Sequence, residues 1–243
     1  MQTNTISLSV YKLFRGKLDE IPVKSAGVIN TLNTHSYVLG EKDETFRRAL
    51  ESSDVLLPDG IGVVWAVKRL RGEKIHKIAG SDIHLHILKE LHGTGGKIYY
   101  LGSTREVLDG ISCRISRECP GVKVRTMSPP FLPEFTEEQE KCILDDINNF
   151  TPDILFVGMT APKQEKWVYK NRNRINAGTI CSVGAVFDFY AGHIHRPSRW
   201  LIRHNLEWLG RLFMSPKRVW RRIFFSTPVF VSHINKLRRT PKD

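Results

Sequence analysis

Three short apolar runs that end in glycine and polar residues constrain the fold of this chain most strongly. They lead into residues 55–62, 158–165 and 182–192, and the first of these segments reads Val-Leu-Leu-Pro-Asp-Gly-Ile-Gly. Such a run is typical of a buried parallel strand with a loop at its carboxyl end. In open α/β sheets, ligands bind at those carboxyl ends. The three runs therefore predict an enzyme with a small-molecule pocket, and not merely a basic globular domain.

The rest of the chain alternates between strand-like runs and amphipathic stretches, with no internal repeat. The capping residues predict where helices start: Ser81 is the expected N-cap of a helix to about residue 92, and Thr136 opens a capping box with Gln139. Alternation at this spacing predicts a mainly parallel sheet with helices on both faces. The predicted strands are residues 27–31, 54–57, 97–101, 122–127, 154–157 and 179–183, and the predicted helices include 43–52, 61–71, 81–92 and 104–119.

Charge is distributed unevenly along the 243 residues. The formal net charge is +12, and residues 196–243 hold 12 of the 37 Lys and Arg but only 2 of the 25 Asp and Glu. We therefore divide the chain into a nearly neutral body, residues 1–195, and a basic appendage, residues 196–243. Such asymmetry indicates a polyanionic partner, either a nucleic acid or an anionic membrane surface.

The appendage has the pattern of amphipathic helices. Residues 201–214 predict one helix, and residues 217–225 predict a second with Trp220 and Phe224 on one side and arginines beside them. Cationic side chains flanking an apolar face suit a helix that lies in a membrane interface.

Several function classes lack their signatures in this sequence. The four cysteines form no CxxC pair, which is typical of reduced thiols in a cytosolic protein, and no signal peptide or spanning segment is expected. There is no GxGxxG, P-loop, HExxH or GxSxG motif. No Asp-X-Asp triplet is present, so the usual ligands of a cation on a diphosphate are missing. We expect neither a metal nor a cofactor.

Two loops carry the candidate chemistry. Asp59-Gly60 is either an ordinary turn or a carboxylate at a strand end, where it would serve as a general base. In the second loop, Pro162 and Glu165 have a purely structural explanation in the first turn of a helix. That explanation does not cover Lys163 and Gln164. A lysine at a helix N-terminus suits a nucleotide diphosphate, and the amide of Gln164 suits a sugar or uracil.

Six ordered motifs resemble those of the WecG/TagA/CpsF glycosyltransferases, glycosyltransferase family 26. They cover about residues 28–222, and their number and order make the resemblance specific. The motifs are Thr31-Leu-Asn33, Leu57-Pro-Asp-Gly60, Ile78-Ala-Gly-Ser-Asp82, Ala161-Pro-Lys-Gln-Glu165, the run from Val183 to Gly192, and Leu206-Glu-Trp-Leu-Gly-Arg211.

This resemblance implies a Rossmann-like α/β body and assigns roles to particular residues. Asp59 matches the general base, with Thr31 beside it in the pocket. Asn33 and Gln164 match residues that contact the substrate, and we add Gly60, Lys163 and Gly184 to the substrate-binding set. In the family, arginines of a C-terminal appendage close over the diphosphate, and here they correspond to Arg211, Arg218 and Arg221.

The resemblance also implies an inverting, metal-independent transfer from a UDP-sugar to a polyprenyl-diphosphate-linked sugar. The donor sugar is expected to be N-acetylmannosamine or a relative, in cell-surface polysaccharide synthesis at the inner face of the membrane. The alternative donors are the UDP derivatives of N-acetylmannosaminuronic acid or of another hexose.

Two other hypotheses stay open at this point: a nucleic-acid-binding module, suggested by the basic appendage, and a non-catalytic scaffold on the membrane surface. The sequence leaves the oligomeric state undetermined.

Overall fold

The computed structural model of the protein describes residues 4–193 and 222–239. Its centre is a parallel sheet of six strands in the order β4-β3-β8-β7-β5-β6. A separate antiparallel hairpin, β1 (Thr5–Leu8) and β2 (Tyr11–Phe14), precedes the sheet. The six strands are β3 (Gly27–Leu32), β4 (Val55–Pro58), β5 (Gly96–Gly102), β6 (Val122–Met127), β7 (Ile154–Gly158) and β8 (Thr179–Ser182).

Helices cover both faces of this sheet. Three of them, α4 (Gly80–Leu91), α5 (Arg105–Glu118) and α8 (Gly184–Tyr190), lie on one face. The other face carries α1 (Thr34–Gly40), α2 (Glu44–Glu51), α3 (Ile61–Arg71), α6 (Glu137–Phe150) and α7 (Lys163–Asn171). The predicted α/β architecture, with a parallel sheet between two helical layers, is therefore confirmed.

Successive residues of a strand pack into different cores, as the pleat of a strand requires. Ile29 of β3 and Leu57 of β4 contribute to the core beneath α4, α5 and α8. The residues immediately before them, Val28 and Leu56, belong to the cores on the other face. Because both faces are buried, the strands are nearly continuous apolar runs, which is the feature that made them recognisable in the sequence.

A C-terminal helix, α9 (Thr227–Arg239), packs on the second face against α1 and α3. A π-helical turn, Arg222–Ser226, leads into it. Phe230 and Ile234 are fully buried in the core that they share with α1, α2 and α3. The predicted helix at 201–214 and most of the one at 217–225 lie outside the described residues.

One predicted helix start is wrong. The helix that we expected Ser81 to cap begins one residue earlier, at Gly80, and its N-cap is Ala79. The carboxylate of Asp82 accepts a hydrogen bond from the backbone nitrogen of Ala79 at 2.9 Å, so the third helical residue satisfies that donor. Ser81 is buried, and its hydroxyl does not cap the helix.

Candidate active site

Four neighbouring strands bring the sequence motifs to one edge of the sheet. The strand order β4-β3-β8-β7 places the loops after these four strands side by side at their carboxyl ends. Two backbone hydrogen bonds join adjacent loops: Asp59 N donates to Leu32 O at 2.9 Å, and Val183 N donates to Val157 O at 3.0 Å. We call this region the carboxyl edge. It contains the loops with Asp59, Asn33, Gly184 and Gln164.

Asp59 lies in the first of these loops and is half-buried. The next residue, Gly60, is the N-cap of α3, with φ of 104°. An L side chain rarely adopts that backbone conformation, so glycine is required there. A Cβ atom placed on Gly60 would meet nothing within 4 Å. The carboxylate of Asp59 therefore stands beside an open approach, as a group that acts on a ligand must.

Thr31 and Asn33 lie at the end of the neighbouring strand. Thr31 pairs with Leu57 in the ladder between β3 and β4, two residues before Asp59. Asn33 is the N-cap of α1, and its Oδ1 accepts hydrogen bonds from His35 N at 3.0 Å and Ser36 N at 2.9 Å. The side-chain oxygen of Asn33, Oδ1, thus accepts hydrogen bonds from the first turn of α1. The Nδ2 of the same side chain is the group that can contact a substrate.

Gln164 and Gly184 meet across the loops that follow β7 and β8. Gln164 is 5% exposed, and its Nε2 donates to Glu165 Oε1 at 2.8 Å. Its Oε1 is buried and has no hydrogen-bond partner in the described part of the chain. A Cβ atom on Gly184 would lie only 2.7 Å from that oxygen. Glycine at position 184 therefore leaves the room that the Gln164 side chain occupies.

Glu165 is a buried carboxyl group beside Gln164. It is 3% exposed, and burial raises its pKa to about 7, against the opposing effect of the hydrogen bond from Gln164. Its Oε2 has no partner within residues 4–193 and 222–239, and neither has the Oγ of the fully buried Ser182 at the end of β8. Buried polar atoms are nearly always hydrogen-bonded in folded proteins. Three such oxygens near the ends of β7 and β8 mark this part of the edge as a place for polar chemistry.

Lys163 opens α7 but is engaged with another loop. Its Nζ donates to the carbonyl oxygen of Leu132 and lies 3.7 Å from the centre of the Phe135 ring. Partial burial lowers the pKa of this ammonium group. Lys163 therefore fastens the loop after β6 to the start of α7, and it brings a positive charge to the carboxyl edge.

The three candidate arginines, Arg211, Arg218 and Arg221, lie outside the described residues. Within the described residues there is no group of three or more His, Cys, Asp or Glu side chains arranged to hold a metal ion. In the same part of the chain, no helix is both long and apolar enough to cross a bilayer.

The sequence matches the profile of the Glycosyl transferase WecG/TagA/CpsF family over residues 7–243. The chain belongs to this family. One relative, from Bacillus subtilis (strain 168), is 30% identical over 222 residues, covering 91% of this chain and 84% of its own length. A second, from Bacillus spizizenii, is 30% identical over 194 residues, covering 80% and 73%. A third, from Staphylococcus aureus (strain MW2), is 27% identical over 215 residues, covering 88% and 79%.

All three relatives carry the name N-acetylglucosaminyldiphosphoundecaprenol N-acetyl-beta-D-mannosaminyltransferase. Family membership makes this chain a glycosyltransferase. The family motifs that lie in the described residues converge at the carboxyl edge.

Two polar residues of the carboxyl edge are more deeply buried than the sequence predicts. Glu165 was explained as a favourable charge in the first turn of α7, whereas the structure buries it. Ser182 lies within the predicted strand 179–183, and the sequence assigns no role to its hydroxyl. The orientation of α7 decides the burial of Glu165, since residues 164, 165, 167, 168 and 171 form its buried side, whereas Ser182 is buried because it ends the central strand β8. The available signal for Glu165 was its position beside Gln164 on the side of α7 that also carries Trp167 and Val168.

Proposed function

We propose that this glycosyltransferase moves an N-acetylmannosamine or closely related sugar from a UDP-sugar to a polyprenyl-diphosphate-linked N-acetylglucosamine. The donor and acceptor types are carried over from the names of the relatives and from the family resemblance. The observation that carries the proposal is the meeting of Asp59, Asn33 and Gln164 at the ends of neighbouring parallel strands. Buried polar groups with unused hydrogen-bonding capacity suit a hydroxyl-rich sugar.

Asp59 acts as the general base in this proposal. It takes the proton from the acceptor hydroxyl, whose oxygen forms a bond to the anomeric carbon of the donor sugar. The bond from that carbon to the diphosphate oxygen breaks, and UDP leaves with the electron pair. A single displacement of this kind inverts the anomeric configuration.

Positive charge must stabilise the leaving diphosphate. Arg211, Arg218 and Arg221 are the proposed source, because guanidinium groups bind phosphate oxygens in a bidentate manner and cannot lose their charge. Lys163 adds a charge at the opening of α7. With these side chains present, no metal is required in the proposed reaction.

The other residues of the edge position the substrates. The Nδ2 of Asn33 and the Oε1 of Gln164 are proposed to contact sugar or uracil, and Thr31 lies next to Asp59 beneath them. Gly60 admits the substrate closely, since an added Cβ there would meet nothing within 4 Å, and Gly184 leaves the room for the Gln164 side chain that is proposed to contact the substrate. Precise placement of the two reacting atoms is worth several orders of magnitude in rate.

The acceptor is anchored in a bilayer by its polyprenyl chain, so the protein must work at a membrane surface. We propose that it associates peripherally with the inner face of the membrane, with the basic residues of 196–243 drawn to anionic lipids. Each basic residue close to an anionic leaflet contributes on the order of 1 kcal/mol.

The test measures UDP release from a panel of UDP-sugars with a short-chain polyprenyl-diphosphate-GlcNAc acceptor that dissolves in water. The wild type is expected to release UDP with one donor in the presence of excess chelator, whereas Asp59→Asn is expected to be roughly 10²–10⁴-fold slower, the range for a lost general base. Asp109→Asn, on the exposed side of α5, is the matched control and should behave as the wild type.

Two results would contradict the proposal. Release of UDP by Asp59→Asn at the wild-type rate would remove Asp59 from the mechanism. Absence of UDP release by the wild type with every donor would remove the substrate assignment, and loss of the activity with chelator would remove metal independence alone.

A further inference from the structure

The surface formed by α3 and α9 exposes large apolar side chains. Ile61 and Trp65 of α3 are 45% and 38% exposed, and Phe225 and Val229 of the C-terminal segment are 66% and 51% exposed. The two helices pack side by side, because Val63 and Val67 share one core with Phe230 and Ile234. The buried side of each helix is thus fully used, and the exposed apolar residues lie on the outer side. We call this outer surface the α3–α9 face.

The Lys and Arg side chains of α3 and α9 give this face a positive charge. Neither α3 nor α9 contains an Asp or Glu. Their last turns carry six basic residues between them: Lys68, Arg69, Arg71, Lys236, Arg238 and Arg239. A solvent-exposed helix of a soluble protein usually carries both signs of charge on its outer surface. Exposed aromatic and aliphatic residues together with cations alone match the boundary of an anionic bilayer, where apolar groups enter the acyl region and cations meet lipid phosphates.

Three helices on this side of the sheet run in the same direction. α1 and α3 each start at the carboxyl edge, because they follow parallel strands directly. α9 runs beside α1 with the same polarity. His35 Nδ1, near the start of α1, lies 2.8 Å from Ser226 Oγ, and Glu41, just past its end, lies 3.5 Å from His233 Nδ1.

Because the helices share this direction, one end of the α3–α9 face lies near the carboxyl edge and the other end lies far from it. The apolar residues lie in the first half of α3, at the start of α9 and in the π-helical turn before it, close to the carboxyl edge, and the basic residues lie in the last turns. Ile61 is only two residues from Asp59. A lipid-linked acceptor that emerges from a bilayer on this face would therefore arrive at the proposed base.

We propose that the α3–α9 face docks on a bilayer of anionic phospholipid, with Ile61, Trp65, Phe225 and Val229 at the headgroup–acyl boundary. The cations in the last turns of both helices hold the lipid phosphates. This assigns membrane contact to a helix of the catalytic body as well as to the C-terminal residues. It deepens the proposed function by naming the surface that meets the bilayer, and its test requires no turnover.

The experiment is flotation of the full chain with vesicles that contain neither donor nor acceptor. Vesicles of phosphatidylcholine with 30% phosphatidylglycerol are compared with vesicles of phosphatidylcholine alone. The wild type should bind the anionic vesicles at least about tenfold more tightly, since basic residues gain from the negative surface potential. Trp65→Ser/Phe225→Ser should weaken binding to anionic vesicles by about tenfold, through lost insertion of apolar area.

Two matched controls isolate the face from the rest of the chain. Leu85→Ser removes a side chain of similar exposure, 47%, from α4 on the opposite side of the sheet, and it should leave binding unchanged. Lys68→Gln/Arg69→Gln should weaken binding to anionic vesicles by about tenfold, whereas Lys89→Gln/Lys123→Gln, with the same charge change elsewhere, should have little effect. The charge pair also keeps the test decisive if the aromatic pair fails to fold, which thermal unfolding would reveal.

Some outcomes would overturn the proposal. Equal vesicle binding by the wild type and both face variants would assign membrane contact to other residues. A wild type that dimerises without vesicles, and becomes monomeric with Trp65→Ser/Phe225→Ser while its vesicle binding persists, would show that the face joins two copies of this chain. Failure of the UDP-release assay with intact, face-dependent vesicle binding would refute the proposed reaction and leave the docking surface standing.

Discussion

The carboxyl edge and the α3–α9 face depart from the usual distribution of polarity in opposite directions. At the edge, Gln164, Glu165 and Ser182 are at most 5% exposed, although their polar oxygens lack partners within the described residues. On the face, Trp65 and Phe225 are exposed, although they are among the most apolar side chains. Buried polar groups and exposed apolar clusters both raise the free energy of a folded protein unless something binds them. The contrast supports the two proposals, a polar ligand at the edge and a lipid at the face.

The largest expected effect separates these two regions. Asp59→Asn should abolish most UDP release with soluble and vesicle-borne acceptors alike, by roughly 10²–10⁴-fold, and should leave vesicle binding unchanged. Trp65→Ser/Phe225→Ser should lower turnover on the vesicle-borne acceptor by about tenfold and leave turnover on the soluble short-chain acceptor unchanged. If the face variant lost activity equally on both acceptors, the two regions would have to be treated as one site.

The next effect tests how tightly the edge is built. Gly184→Ala places a Cβ 2.7 Å from Gln164 Oε1, so the amide must move and its substrate contact is lost. We expect kcat/KM for UDP release to fall by about 10²-fold, the cost of displacing a positioning group by about 1 Å. The control is Gly110→Ala in α5, where the closest atom to the added Cβ is Ala191 Cβ at 3.3 Å. Unchanged kinetics in Gly184→Ala would separate Gln164 from substrate binding.

Glu165 makes the edge sensitive to pH. Its pKa in the folded protein, about 7, lies above its ordinary value of 4.5, so the folded state holds the proton more tightly than the unfolded state. The resulting stabilisation is fully present below pH 4.5 and is lost as the pH rises through about 7. Complete loss would lower the free energy of unfolding by at most ~3 kcal/mol, from 1.36 kcal/mol per pKa unit.

Glu165→Gln removes this dependence while retaining an oxygen that accepts from Gln164 Nε2. Urea denaturation at pH 5 and pH 8 should show a smaller loss of stability for the variant than for the wild type. Glu90→Gln, an exposed glutamate on α4, should retain the wild-type difference. Parallel pH profiles for Glu165→Gln and the wild type would mean that Glu165 stays ionised when buried.

The smallest expected effect concerns Lys163. Lys163→Met removes the bond to Leu132 O and the cation–π contact with Phe135, which together contribute on the order of 1–2 kcal/mol to stability. The KM for the donor should rise several-fold, because a charge near the diphosphate is lost. The control is Lys166→Met, on the same helix as Lys163. This change breaks the ion pair of Lys166 with Asp43, the N-cap residue of α2, at 2.9 Å. An equal rise in the donor KM for both variants would mean that Lys163 makes no specific contact with the diphosphate and contributes only to the overall positive charge of α7.

The strands and the motif positions were predictable because buried parallel strands have an unmistakable composition. Val55 to Pro58 and Ile154 to Val157 are apolar throughout, and a glycine or Asp-Gly pair follows each run. The start of α4 was not predictable from Ser81, since the N-cap is Ala79, whose side chain cannot cap, and the helix start is held instead by the hydrogen bond from Ala79 N to the carboxylate of Asp82. Helix α1 was missed because its seven residues include Gly40 together with Thr34, Ser36 and Val38, which are β-branched or short polar residues that favour other conformations.

The surroundings of the candidate residues depended on tertiary structure. That Asp59, Asn33 and Gln164 share an edge follows from strand order, and the order β4-β3-β8-β7 cannot be derived from periodicity. The burial of Glu165 depends on how α7 is rotated against the sheet. Recognising the α3–α9 face required both the sequence and the tertiary structure. The sequence places Ile61 and Trp65 in an amphipathic helix, and the packing of α9 beside α3 shows which side of that helix stays exposed.

The Asp59-Gly60 loop continues directly into α3, so in a docked enzyme the position of α3 sets the height of Asp59 above the bilayer. Ile61 is two residues from Asp59, so the two Cα atoms are within about 8 Å of each other. A helix held at the headgroup level fixes the height of the base above the lipid phosphates. In the proposed docking, the acceptor is therefore selected by the distance between its reacting hydroxyl and its diphosphate, as well as by its chemistry.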